Sequence, residues 1–248
     1  MSMFDELLSN DLKKDNKIFG VMSGLVTDNN DPDKKNRVKV QLFSKINDKT
    51  ETGFIPVAMP MVGKEFGIFF MPEIGDEVLV AFENGDIEKG YVIGGLYNDT
   101  KKAPVTVEEG KNDVKKIKTR TNNEMTLSDK ENEQFIEIKT EKGYKVLIDD
   151  SKDQLTIQDK EGKNKVAFSM ANGQIEVEAE KKIVLKAGQS SIILSDGKIE
   201  IEASNSIRLK AAQVMVEASS SASVSSSGMM EVKSDKVVNI KGATVKIN

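Results

Sequence analysis

Four aspartates in the first third of the chain and one cluster of phenylalanines are the residues whose types and spacing could support ligand binding or catalysis. Scattered carboxylates could hold a cation or form a glycosidase pair, and clustered rings could stack on bases or sugars. Carboxylates spread over turns are more often solvated or capping groups, so we predict no catalytic residue, metal site or cofactor. The residues concerned are Asp31, Asp33, Asp48 and Asp76, and Phe66, Phe69 and Phe70.

Missing residue types exclude further chemistry. The 248 residues include no Cys, His or Trp, which removes disulfides, thiolate nucleophiles, imidazole bases and His/Cys metal sites. The formal charge is −4, from 36 basic and 40 acidic residues, so no overall basic field attracts nucleic acid. A small basic patch is better explained by a solvated or interchain ionic role than by anion binding. Its members are Lys115, Lys116, Lys118 and Arg120.

The front of the chain has the composition of a small barrel. Short apolar runs between Lys17 and Tyr97, separated by Gly, Pro and Asx, predict five strands that close on themselves, with a domain boundary near residue 104. Residues 1–16 carry apolar residues at helical spacing, which fits either a short docking helix or a frayed terminus. They lack the basic start and apolar run of a signal peptide, and no stretch is long enough to span a membrane. The chain is therefore expected in the cytoplasm until it is assembled.

The back of the chain is a repeat. From Ile175 onward, bursts of alternating apolar and polar residues recur about every eight residues, and between Phe135 and Ile175 the step is about ten. A period of two within each burst predicts strands, because successive side chains of a strand point to opposite faces. No aromatic residue follows Phe168, so this segment must bury its apolar residues in a narrow core.

A single ribbon of this kind exposes one apolar stripe that it cannot cover alone. Three chains wound together would enclose it, which predicts a homotrimeric β-helix over residues 135–248 after a neck at 105–134. The predicted trimer core comprises Ile175, Val177, Ile183, Leu185, Ile192, Leu194, Ile199, Ile201, Ile207, Leu209, Val214, Val216, Val224, Val232, Val238, Ile240, Val245 and Ile247. The predicted fold class is all-β, a small barrel at 17–104 followed by an intertwined triple-stranded β-helix; the resemblance described next implies that the barrel is an OB-fold.

The barrel segment resembles the OB-fold of VgrG and phage baseplate assembly protein V. The resemblance is carried by NRVKVQLF and by GFIPVAMPMVGKEFGIFFMPEIGDEVLVAFENGDIEKGYVIGGLYN, and the stretch IKTRTNNEMTLSDKENEQFIEIKTEKGYKVLIDD resembles the neck that follows it. In all it covers about residues 17 to 248. It implies a structural, non-enzymatic spike of a contractile injection machine (a phage tail, tailocin, extracellular injection system or type VI secretion system) that contacts the target envelope transiently.

Departures from the family pattern imply separate partners. Only about 16 residues precede the barrel where VgrG has a hub-like region, so a separate hub protein is expected, with Phe66, Phe69 and Phe70 as its candidate contact. A tip protein of the PAAR type is expected at Thr244, Val245, Lys246, Ile247 and Asn248, where the repeat stops in mid-pattern. The alternative is a trimeric tail fibre or adhesin with glycan-binding or hydrolytic activity, which normally needs aromatic clefts that the tail lacks.

Overall fold

The computed structural model describes residues 18–43 and 50–247, and in these ranges the chain is built from β-strands and a few short turns. Contacts divide the chain into two compact units between Val177 and Glu178. The docking helix predicted within residues 1–16, and the tip residue Asn248, lie outside the described residues. The predicted all-β class is confirmed.

A five-stranded, nearly closed barrel forms the front of the first unit. Its strands pair antiparallel in the order β3-β2-β1-β4-β5. Closure comes after β3, where Val57 bridges Val92 and the Ala58 amide donates to the Val92 carbonyl at 2.8 Å. The strands are β1 (Val21–Asp28), β2 (Arg37–Leu42), β3 (Ile55–Pro56), β4 (Glu77–Phe82) and β5 (Gly90–Gly95), with 3-10 turns at Glu83–Gly85 and Ile87–Lys89.

Strict alternation in β2 and β4 builds the barrel core, since every second side chain points inward and is buried. Gly24 on β1 is required by packing, because a Cβ there would lie 2.5 Å from the Gln41 carbonyl oxygen. The buried core is Val26, Val38, Val40, Leu42, Ile55, Val78, Val80, Phe82 and Val92.

A seven-stranded antiparallel meander forms the rest of the first unit, with each strand paired to its neighbour in the chain. The five strands predicted between Phe135 and Ile175 are confirmed. Two further strands from the predicted neck belong to the same sheet, so the predicted boundary at 134/135 falls between hydrogen-bonded strands. The strands are β6 (Val114–Lys118), β7 (Glu124–Ser128), β8 (Phe135–Lys139), β9 (Lys145–Asp149), β10 (Gln154–Gln158), β11 (Lys165–Ser169) and β12 (Gln174–Glu178), with a 3-10 turn at Asp150–Lys152.

The second unit contains a three-stranded antiparallel sheet of β13 (Lys182–Ala187), β14 (Ser190–Ser195) and β15 (Lys198–Glu202). These strands confirm the bursts predicted from Ile183, Ile192 and Ile199. The later bursts differ: within residues 203–247 the single chain forms no strand. A strand needs a hydrogen-bonded partner, and no strand in the described part of the chain pairs with this ribbon.

Candidate functional site

One face of the seven-stranded sheet is apolar except at Lys115 on β6, which lies opposite Leu127. The register places Ile136 beside Ile148 and Ile138 beside both Met125 and Val146, so aliphatic rows run across the sheet. Most of these side chains are 36–50% exposed, which is unusual for so many neighbouring aliphatic residues. The face comprises Ile117, Met125, Leu127, Ile136, Ile138, Val146, Ile148, Leu155, Ile157, Val166 and Phe168.

The opposite face of this sheet is mostly polar, although Phe135 and Leu147 also lie on it, and many of its charges are paired. Lys118 and Lys116 both bind the Glu124 carboxylate, at 2.9 and 3.0 Å. These two lysines lower the pKa of Glu124 to about 2. The other members of the predicted basic patch are paired too, Lys115 with Asp129 and Arg120 with Glu73. The patch is therefore paired within its own chain, and the interchain role suggested by the sequence stays a prediction.

The three-stranded sheet of the second unit repeats this division. Its register aligns Leu185, Ile192 and Ile201 in one row and Ile183, Leu194 and Ile199 in another. Glu200 lies on the opposite face, as predicted from the alternation. That face also carries Val184 and Ile193, which pair directly. The sequence prediction missed these two because they fall out of phase with the apolar bursts.

The predicted trimer-core residues are not buried by their own chain. Ile183 is half-buried, and the other seventeen are exposed, from Leu194 at 37% to Ile247 at 88%. The tip residues Thr244, Val245, Lys246 and Ile247 are exposed as well.

The phenylalanine cluster lies on a tight hairpin beside the barrel. The Gly63 amide donates to the Phe66 carbonyl at 2.9 Å, and the Ile68 amide donates to the Met61 carbonyl at 3.0 Å. Phe66, Phe69 and Phe70 are all 63–66% exposed. Phe66 and Phe69 line an apolar cavity of about 550 Å³, whereas Phe70 lines a different cavity with Tyr97 and Pro104. The three rings thus share a loop but not a pocket.

The described candidate aspartates do not come together in one site. Asp31 is buried and receives two hydrogen bonds from Arg37, at 2.9 and 2.8 Å. The pKa of the Asp31 carboxyl therefore lies well below its ordinary value. Asp33 binds the same guanidinium, and Asp76 pairs with Lys101.

These contacts give the aspartates a structural role, fixing the loop between β1 and β2 and the start of β4. Asp48 lies outside the described residues. Within the described ranges, no group of three or more potential metal ligands converges.

Two family models match parts of this chain, one over the barrel and one from β9 into the second unit. Residues 22–97 match the type VI secretion system/phage-baseplate injector OB domain. Residues 145–220 match a family described as an uncharacterised protein conserved in bacteria (DUF2345). The chain is thus a relative of the VgrG and phage baseplate V proteins, as its sequence motifs indicated.

Individual relatives agree with this assignment. Over 122 residues, or 46% of this chain, it is 29% identical to the type VI secretion system spike protein VgrG3 of Vibrio cholerae. It is 29% identical over 133 residues to the actin cross-linking toxin VgrG1 of Vibrio cholerae, and 35% identical over 83 residues to the spike protein VgrG5 of Pseudomonas aeruginosa. These matches span only 10–12% of the length of each relative. Among the described residues, no helix is long and apolar enough to cross a bilayer.

Proposed function

We propose that this protein is the homotrimeric central spike of a contractile injection machine, a structural and non-enzymatic needle that is pushed through a target envelope. The observation that carries the proposal is the apolar face on each of the two sheets, left exposed by a chain whose barrel is an injector OB domain. Burial of each aliphatic side chain contributes about 1.5–3 kcal/mol, so exposure of this many residues favours association strongly.

The strand length supports three copies. A five-residue strand is about 16 Å long, so each sheet is about 16 Å across. Packed sheets lie about 10 Å apart, which leaves about 5 Å for the side chains of each sheet. In a three-sided prism with 16 Å sides the axis lies about 5 Å from each face, whereas in a four-sided prism it lies about 8 Å away. Three copies fill the interior, and four would leave a void along the axis.

Two partner contacts belong to this proposal. The exposed rings of Phe66 and Phe69, beside their apolar cavity, would bind an apolar segment of a separate hub protein. The exposed aliphatic residues Val245 and Ile247 would be covered by a tip protein of the PAAR type.

The mass of the purified protein in solution tests the trimer. Light scattering should give three chains of 27.3 kDa each, and the assembly should resist SDS without heating. A folded single chain would contradict the proposal. Specific binding on a glycan array, or glycan hydrolysis by the purified trimer, would instead favour the fibre or adhesin.

Co-purification tests both partner contacts in one design. Wild-type protein, co-expressed with its candidate hub and PAAR-like proteins, should retain both. A variant with Phe66→Ser and Phe69→Ser should lose the hub protein alone, because the hairpin keeps its backbone hydrogen bonds. A chain truncated after residue 243 should lose the tip protein alone, so each variant is the control for the other. Loss of neither partner, or of both from one variant, would contradict the assignment.

A further inference from the structure

The turns of the seven-stranded sheet lie along two opposite sides, at the ends of its strands, and these two sides, here called the edges, carry opposite charge. In a meander, successive turns alternate between edges, which gathers residues 118–124, 139–145 and 158–165 on one edge and 128–135, 149–154 and 169–174 on the other. The first set, the cationic edge, has eight Lys or Arg and four carboxylates. The second set, the anionic edge, has six carboxylates and two lysines.

Ion pairs within the chain leave several of these charges uncompensated. On the cationic edge, Lys139, Lys142 and Lys160 are exposed and form no salt bridge with any residue that the structure describes. On the anionic edge the same is true of Glu131 and Asp150 in the described part of the chain. Glu141 on the cationic edge is also exposed and without a salt bridge among the described residues, so three free lysines face one free carboxylate there. The free charge of the cationic edge is therefore predominantly positive, and that of the anionic edge is negative.

The two edges of one chain cannot meet each other. Strand β9, which links the Lys142 turn to Asp150, is five residues long and holds the edges about 16 Å apart. In a three-sided prism, however, each face abuts the next along their edges, and threefold rotation always places opposite edges together.

We propose that the anionic edge of one subunit binds the cationic edge of the next, an inference that rests on the trimer proposed above. The order of the turns along the chain supports this contact, because anionic and cationic turns alternate. The anionic turns with Glu131 and Asp150 follow β7 and β9, and the cationic turns with Lys142 and Lys160 follow β8 and β10. At equal height on adjacent copies, Lys142 lies between the levels of the Glu131 and Asp150 turns, with strand levels spaced about 4.8 Å apart.

This contact selects the direction of the chains. If one chain were inverted while keeping its apolar face inward, its edges would exchange places, and like charges would then meet at both of its corners. Opposed like charges disfavour that assembly, whereas the apolar faces alone would tolerate it. The edges thus specify a parallel, in-register trimer.

Paired cysteines test the contact, because the natural chain contains no Cys. One variant combines Lys142→Cys with Glu131→Cys and a second combines Lys142→Cys with Asp150→Cys. After mild oxidation, at least one should run as a covalent trimer on a non-reducing SDS gel. A bond within one chain is excluded, because a disulfide needs Cα atoms within about 7 Å.

Control variants separate the outcomes. Lys142→Cys with Lys160→Cys places both cysteines on the cationic edge, so the variant should not link one chain to another. The two turns are neighbours within one chain, because a Cβ at Gly143 would lie 2.8 Å from the Lys160 side chain, and any disulfide should form inside that chain. Covalent dimers from Lys142→Cys alone would show that like edges meet and would overturn the inference. Uncrosslinked chains from both test pairs, in protein that light scattering finds trimeric, would overturn the edge contact and leave the spike proposal standing. A folded single chain by light scattering would overturn both.

Discussion

Ile201→Asp is expected to abolish the trimer or to lower its melting temperature sharply. Ile201 pairs with Ile192 on the apolar face of the second unit and is 54% exposed in the single chain. In the proposed spike, three copies of this side chain meet near the axis. An unpaired buried amide or hydroxyl costs about 2–7 kcal/mol and a carboxylate costs more, and three carboxyl groups would meet at one level. Light scattering and thermal unfolding of the variant measure the effect.

The neighbouring substitution Glu200→Lys is the matched control. Glu200 lies on the opposite face of the same strand, where it pairs with Lys198. Surface substitutions of this kind change stability by about 0.5 kcal/mol or less, so the trimer should persist. Equal damage from the two substitutions would mean that the inner and outer faces are assigned wrongly.

Leu42→Ala is expected to destabilise the barrel by about 2–5 kcal/mol while leaving the chain trimeric. Leu42 is 2% exposed and packs among the valines of the barrel core, so truncation leaves a cavity. The apolar sheet faces do not include this residue, and they should still associate. Hydrogen exchange of peptides from β2 and β4, together with the mass in solution, measures both parts of the prediction.

Phe43→Ala serves as the control for the barrel. Phe43 is the next residue and is 50% exposed, so its truncation removes little buried area. Its exchange rates should match those of the wild type. Dissociation of the trimer by Leu42→Ala would contradict the view that the sheets, rather than the barrel, hold the subunits together.

Much of the architecture was readable in the sequence because strand alternation is local. The bursts at Ile136, Val146 and Leu155 became β8, β9 and β10, and the alternation at Ile201 and Glu200 assigned them to opposite faces correctly. The resemblance of the barrel segment was also readable in the sequence, and residues 22–97 match the injector OB domain model.

Other features depended on contacts between distant residues. The sequence divided the neck from the repeat, yet β7 and β8 are hydrogen-bonded neighbours in one sheet. It offered Asp31 as a candidate for chemistry, whereas the fold buries this carboxylate against Arg37. It grouped the phenylalanines, but Phe66 and Phe70 line different cavities.

The sequence by itself determined which residues form strands and which side chains share a face, because a period of two needs only neighbouring residues. Tertiary structure decided which turns gather at each edge of the sheet. The opposite charges of those edges appear only when strands β6 to β12 pair in order, since residues 18 to 40 positions apart, such as Arg120, Lys142 and Lys160, then lie along the same edge.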